Sequence, residues 1–410
     1  MARRVVITGL GTINPTGNNV KESWDNITNG RSGIAPIKNF DTTNYLVKVA
    51  GEVKDFDPTQ HMEAREARRR DRYQQFATVA AKEALAQSGL VVTPENAARV
   101  AVLISSAVGG IKALQDAVQA IVEVGPRKVN PFTIPMLMAN GAGGLVAIDI
   151  GAKGPNFSVA SACASANDGM GIAWHLMRSG MMDAAIIGGT DATVWEVGIG
   201  SFDRLGAMSH RTDGVPQPFD KERDGVVMGE GAAALVIETL EHAQARGATI
   251  LAELAGYGAT ADAHHITAPA EDGKTGSAAM RQAMEAAEIN ADDLGYISAH
   301  GTGTPLNDAA ETAVVKYTLG ERAYSVPISS TKSMTGHMMG ATGAVEAVFC
   351  VQTITTGVLP PTINYRTPDP ACDLDYVPNT AREGKVNAAL SNAFGFGGHN
   401  AVLAFKRFTG

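Results

Sequence analysis

The chain has 410 residues, 45% hydrophobic and 19% charged, the composition of an ordinary globular protein with room for two domain-sized units or one duplicated body. A net charge of -8 argues against non-specific nucleic-acid binding, and three cysteines (Cys163, Cys350, Cys372) are too few for a disulfide framework, which points to a reducing compartment. No apolar run approaches the ~20 residues that span a bilayer, and the opening MARRVVITGL lacks a signal-peptide core. A cytoplasmic protein is therefore expected, with neither nucleic acid nor membrane as a partner.

Taken in chain order, short apolar runs alternate with Ala-rich stretches of helical spacing. The pattern predicts buried strands at residues 5–8, 100–104, 157–160, 184–187 and 233–237, with helices over 74–87 and 164–178 among them. Between the first two strands, residues 65–72 read REARRRDR. Arg65, Arg68, Arg69, Arg70 and Arg72 sit at an expected helix start, interleaved with Glu63, Glu66 and Asp71. Those residues alone fit a solvated, charge-laced face as well as a docking patch. Beyond residue 250 the scheme repeats: a strand at 250–257, a helix over 276–287, a strand at 296–299, helices over 308–317 and 343–353, and a last strand at 400–405. The strands at 233–237 and 400–405 each follow a Gly-rich turn, GEG (229–231) and GFGG (395–398). This alternation predicts an α/β protein with a parallel or mixed sheet and a duplicated fold. The halves divide into 1–247 and 248–410, with no low-complexity linker, so they are expected to pack as one body.

Four segments carry residue types suited to chemistry. In SVASACASANDGMG (158–171), Cys163 lies between an expected strand and helix, where unpaired N–H groups and the positive helix end favour thiolate. Its neighbours Ala162, Ala164 and Ser165 are small enough to admit a thioester. A buried structural thiol fits the segment equally well. In AHGTGTPLND (299–308), His300 follows a strand at the sheet edge where ligands bind in α/β folds, though a loop histidine with a backbone partner reads the same. In STKSMTGHMMGATGAVEAV (330–348), Lys332 and His337 flank a turn before an apolar helix carrying Glu346. A lysine and a glutamate in such surroundings require pairing, whether for catalysis or for support of the loop. In SNAFGFGGHNA (391–401), Phe394 and Phe396 alternate with glycines, in a tight turn or a mobile aromatic cap. One Cys, two His and one Lys at strand-end turns together form a coherent thioester site.

These segments resemble the β-ketoacyl synthase family of the thiolase-like fold. The likeness runs from VVITGLGTINPTG (5–17) through PFDKERDGVVMGEGA (218–232), DAHHITAP (262–269), HGTGTPLND (300–308) and KSMTGHMMGATGA (332–344) to GFGG. It is nearest to the stand-alone elongating members. ACASANDG (162–169) departs from the more usual ACTSG-like or ACASG-like wording, and altered packing rather than lost activity is expected there. The resemblance implies five-layered αβαβα subunits of two similar halves, paired as a homodimer, with neither cofactor nor metal. It implies that Cys163 holds an acyl chain delivered by acyl carrier protein, and that malonyl carrier protein decarboxylates and attacks that thioester. His300 and His337 would act as neutral N–H donors to the malonyl thioester oxygen. The N–H groups of Cys163 and Phe396 would form an oxyanion hole, with Phe396 also gating entry. Lys332 would order the histidines and, with Glu346, fix the loop, and Asp308 would be structural support. Val108, Gly198 and Phe202 match an acyl pocket, with Ile134 contributed across the dimer, and Thr302, Thr304 and Phe394 would contact substrate. Arg65, Arg68, Arg69, Arg127 and Lys128 match the surface that receives the acidic carrier protein. A degradative thiolase, which needs a second cysteine, a polyketide-type ketosynthase and a non-catalytic partner subunit are the rival readings.

Overall fold

The apolar runs become strands covered on both faces. In a computed structural model, which describes residues 3–211 and 213–410, nine strands form one mixed sheet. They are β1 (Val5–Ile13), β2 (Val100–Ser105), β3 (Ala184–Asp191), β4 (Gly231–Thr239), β5 (Ala252–Ala261), β6 (Leu294–Ser298), β7 (Ile328–Ser329), β8 (Ala388–Gly395) and β9 (His399–Lys406). The spatial order is β2-β3-β4-β1-β5-β9-β8-β6-β7. In the first half β2 runs parallel to β3, which is antiparallel to β4, itself antiparallel to β1. In the second half β6, β8, β9 and β5 repeat that sequence of directions. The antiparallel pairs Val6–Glu253 and Ile7–Ala252 join β1 to β5. The two similar halves expected from the sequence are thus present in the pairing itself.

Helices surround this sheet, among them α1 (Arg72–Ser88), α2 (Ile111–Glu123), α3 (Gly141–Ile150), α4 (Ser165–Arg178), α5 (Glu196–Arg204), α6 (Lys274–Ala286), α7 (Pro305–Leu319) and α8 (Thr342–Thr356). Strand alternation sorts the core into layers. On β2, Ala101 and Leu103 pack inward with Met170 and Trp174 of α4 and Val345 and Phe349 of α8. Val100, Val102 and Ile104 face outward onto Phe76 and Ala80 of α1 and Val146 of α3. On β9, Leu403 and Phe405 join the central cluster, whereas Val402 and Ala404 meet Met280 of α6 and Val315 of α7. The layers are therefore α1 and α3, the first half-sheet, α4 and α8, the second half-sheet, then α6 and α7. This αβαβα stack explains why the strands read as unbroken apolar runs.

Two local expectations fail. Residues 157–160 form no strand; only one parallel bridge, Val102 to Asn156, continues the sheet, and Phe157 is 38% exposed. Among the described residues no further strand lies on that side, and Pro155 lacks an N–H to pair. The Arg-rich segment is not a single helix start. A short helix over Ala64–Ala67 ends, and Asp71 caps α1 afresh in a capping box with Gln74. Arg70 is buried against Asp149 (2.7 Å), and Arg72 pairs with the fully buried Glu230 (2.6 Å). Those two arginines belong to the interior.

Candidate active site

The nucleophile turn is built from small residues held under strain. Ala162 adopts φ 50°, a left-handed conformation that costs a non-glycine residue about 1 kcal/mol or more. Ser165 locks it in place: its Oγ accepts the Ser161 N–H (2.9 Å) and donates to the Ala162 carbonyl (2.6 Å). Cys163 follows, just before α4 begins. The β8–β9 hairpin presses onto the same turn. A Cβ on Gly395 would lie 2.7 Å from the Ser161 carbonyl oxygen and 3.2 Å from the Cys163 nitrogen, so only glycine fits.

Three donor-bearing side chains converge here from three elements. Cys163 Sγ lies 3.0 Å from His337 Nε2, and His337 Nδ1 lies 3.0 Å from Thr342 Oγ1 at the start of α8. The His300 ring stands perpendicular to His337 with centroids 5.5 Å apart. The sulfur and ring nitrogens of the trio all lie within 4.8 Å of one another. His300 enters from the end of β6, where Glu311 of α7 accepts its backbone N–H (2.8 Å) and that of Gly301 (2.7 Å). Asp308 braces the same loop by accepting from the Phe219 and Gly303 N–H groups, 2.7 and 3.2 Å away.

Electrostatics follow from burial. Burial pushes the Cys163 thiol up to about 11, against the Lys332 charge and the Phe396 backbone N–H, which both pull it down. Burial, then the positive charge of Lys332, lowers both histidines well below their ordinary 6.5. Both imidazoles are neutral at physiological pH. Lys332 is 2% exposed and donates to Glu346 Oε1 at 2.6 Å. Burial raises Glu346 to about 7 despite that contact.

One cavity of about 480 Å³ brings together Cys163, His300, His337, Phe202, Thr302, Thr304, Phe394 and Phe396. Phe396 stacks on Phe202 at 6.4 Å across it. Val108, Gly198 and Ile134 are not among its walls; Gly198 is buried within α5 and Ile134 is 61% exposed. Lys332, Glu346 and Asp308 stand behind it. Arg65, Arg68, Arg127 and Lys128 are exposed, whereas Arg69 contacts Glu66 and lies over the Phe132 ring. Sequence reasoning missed Glu311, Thr342 and Met339, another cavity residue. An acidic residue in a helix following a histidine loop is too common to signal a role for Glu311.

The unusual ACASANDG wording has a structural account. Asp168 accepts from Ser161 Oγ and from the Tyr257 hydroxyl of β5 (2.6 Å), and Asn167 donates to the Ser391 and Ala401 carbonyls. These contacts tie the nucleophile helix to the second half.

Comparison with known proteins agrees with this geometry. Residues 2–243 match the family model described as Beta-ketoacyl synthase, N-terminal domain, and residues 251–366 match its C-terminal domain counterpart. A 3-oxoacyl-[acyl-carrier-protein] synthase 2 of Staphylococcus aureus is 48% identical over 408 residues, covering 99% of each chain. One of Synechocystis is 46% identical over 409 residues, covering 99% of this chain and 98% of the relative. Among solved structures, a ketosynthase bound to a type II polyketide acyl-carrier protein superposes with TM-score 0.92 at 35% identity, covering 100% of both chains. A β-ketoacyl synthase from Burkholderia phymatum gives 0.91 at 33%, covering 99% and 100%. With both halves of the family matched across a cysteine–histidine–histidine cavity, the chain belongs to the β-ketoacyl synthase family.

Proposed function

We infer that this chain is a 3-oxoacyl-[acyl-carrier-protein] synthase of the fatty-acid-elongating kind, an acyltransferase that performs a decarboxylative condensation. The observation that carries the reading is the 3.0 Å approach of Cys163 Sγ to a neutral, buried His337 at the floor of the cavity. The Cys163 sulfur attacks the acyl thioester of one carrier protein, and the carrier thiol leaves with the proton. The N–H groups of Cys163 and Phe396, which already point at the sulfur, receive the developing oxyanion. The malonyl thioester then enters. Its carboxylate departs as carbon dioxide, and the released electron pair forms an enolate whose oxygen accepts from His300 and His337. With the Thr342 hydroxyl, 3.0 Å from His337 Nδ1, acting as donor, the ring proton is kept on Nε2, the nitrogen facing the sulfur. The enolate carbon attacks the Cys163 thioester, and the expelled thiolate takes up a proton from solvent to restore the thiol. Lys332, paired with Glu346, orients the histidine loop and transfers no proton. Phe396, stacked on Phe202, is suited to gate the second substrate, and Val108 and Gly198 of this chain, with Ile134 contributed across the dimer, complete the acyl pocket. Division into halves 1–247 and 248–410 accords with the repeated strand pairing.

Partners follow from the same reading. Arg65, Arg68, Arg127 and Lys128 offer an exposed basic surface to an acidic acyl carrier protein, with Arg69 held at its rim. A homodimer is supported by Leu114, Val118, Ile121 and Val122 on α2, all at least 45% exposed, together with Ile148 and the unpaired edge at Phe157. Three buried free thiols suit a cytoplasmic location. A thiolase reading lacks its second cysteine, since Cys350 is sealed inside α8 against the Leu390 carbonyl. The polyketide reading rests on relatives of lower identity than the elongating synthases.

The test is direct. Purified protein given an acyl carrier thioester and malonyl carrier protein is expected to form the 3-oxoacyl product, and Cys163→Ala to lose acyl transfer. A Cys163→Ala protein that condenses at the full rate overturns the assignment.

A further inference from the structure

Asp191 ends β3 with its side chain fully buried, and no step above uses it. Its carboxylate collects four donors from two separate segments. Ser106 Oγ (2.6 Å) and the N–H groups of Ala107 (3.0 Å) and Val108 (3.3 Å) come from the loop after β2. The fourth, the Gly340 N–H at 2.8 Å, comes from the loop that follows His337. Ser106 Oγ also accepts the Gly109 N–H at 2.8 Å, so the clamp extends through the whole turn.

The two segments meet with no room between them. A Cβ on Gly340 would lie 2.5 Å from the Ala107 nitrogen and 2.7 Å from Asp191 Oδ2. Met339, held at φ 50° between His337 and this clamp, joins Cys163, Ile199, Met208 and Met228 in one apolar cluster, against which Ala107 also packs. Burial pushes Asp191 up to about 6, and its four donors favour the ionised form. Only a carboxylate satisfies all of them. An Asn at this place would turn an NH₂ group toward N–H donors.

We propose that Asp191 is a positioning residue that clamps residues 106–108 to Gly340, fixing Met339, which lines the cavity beside Cys163, and thereby which acyl chains load. The proposal rests on the reading of Cys163 as the acyl acceptor. A longer acyl group on Cys163 makes more contact with the apolar cluster that holds Met339, so its loading is the more sensitive to where Met339 sits.

The experiment measures loading of the full-length protein from butyryl, octanoyl and palmitoyl carrier thioesters, by mass of the acyl-enzyme. Folded fraction and malonyl decarboxylation are followed alongside. In Asp191→Asn, palmitoyl loading is expected to fall about tenfold relative to butyryl loading, since small misplacements of a positioned chain are costly in rate. Decarboxylation should track the folded fraction. A proportional fall for all three chains would mean a merely structural carboxylate and overturns the proposal. If Asp191→Asn does not fold, Ser106→Ala removes one of the four donors and must shift the ratio in the same direction; an unchanged ratio there also overturns it. Wild-type protein that loads none of the three sinks the Cys163 reading itself, a result separate from an unchanged ratio in protein that does load.

Discussion

His337 makes two contacts that divide its work: Nε2 faces the sulfur and Nδ1 faces Thr342. A thiol pushed to about 11 is a poor nucleophile in the resting site, so in the proposed mechanism the acyl-transfer step draws on the Phe396 and Cys163 N–H groups and the Lys332 charge. In the proposed mechanism decarboxylation depends on a different property, two neutral imidazoles that both donate to the enolate oxygen. His337→Ala is therefore expected to lower malonyl decarboxylation by about 10² or more while acyl loading falls less, read in separate half-reaction assays. Equal losses would contradict the division of roles. Both histidines titrate well below 6.5, so the decarboxylation rate should show no acid limb near that pH. The sequence named the residues that meet in the cavity, Cys163, His300, His337 and Phe396 among them, but also Val108, Gly198 and Ile134, which do not line it. Two that it missed act through backbone geometry: Glu311 holds the His300 and Gly301 amides, and Asp191 holds four donors from two loops.

At the scale of elements, the first half-sheet is tied to the following helix by one buried carboxylate. Glu238 on β4 accepts from Thr8 Oγ1 on β1 and from Arg246 Nε (2.8 Å), and meets His242 Nδ1 at 2.5 Å. Burial pushes its pKa up, but Arg246, His242 and Thr8 outweigh that and hold it at about 2. The folded value lies below the ordinary 4.5, so this group adds stability above that pH. The contribution is lost as pH falls from about 5 toward 2. Glu238→Gln is expected to lower the urea midpoint at pH 7 and to narrow the gap between the pH 7 and pH 3 midpoints; an unchanged gap would show that the acid limb originates elsewhere. Most elements were legible because a strand covered on both faces reads as a continuous apolar run. β8 was not, since Ser391 and Asn392 interrupt the pattern, yet both are fully buried in the sheet. Residues 157–160 erred the other way, being apolar without a strand beside them.

At the scale of the molecule, charge is unevenly spread. A chain of net charge -8 still offers Arg65, Arg68, Arg127 and Lys128 to solvent. Arg70 and Arg72 leave that surface to pair with Asp149 and Glu230. Reversing Arg65 and Arg68 to Glu together is expected to raise KM for the acyl carrier protein roughly tenfold at low ionic strength, and less at high salt. kcat should change little. An unchanged KM would return these arginines to an ordinary solvated face.

The sequence by itself determined the α/β class, the duplicated alternation and the motif residues, because burial on two sheet faces and tight turns impose patterns local to each segment. Only the tertiary structure decided which of those residues meet. Cys163, His300 and His337 approach from separate segments, the turn before α4, the end of β6 and the turn before α8, and the arginines sort into interior and surface according to carboxylates far away in sequence. The clamp at Asp191 joins residues 106 and 340, a contact that no local pattern encodes.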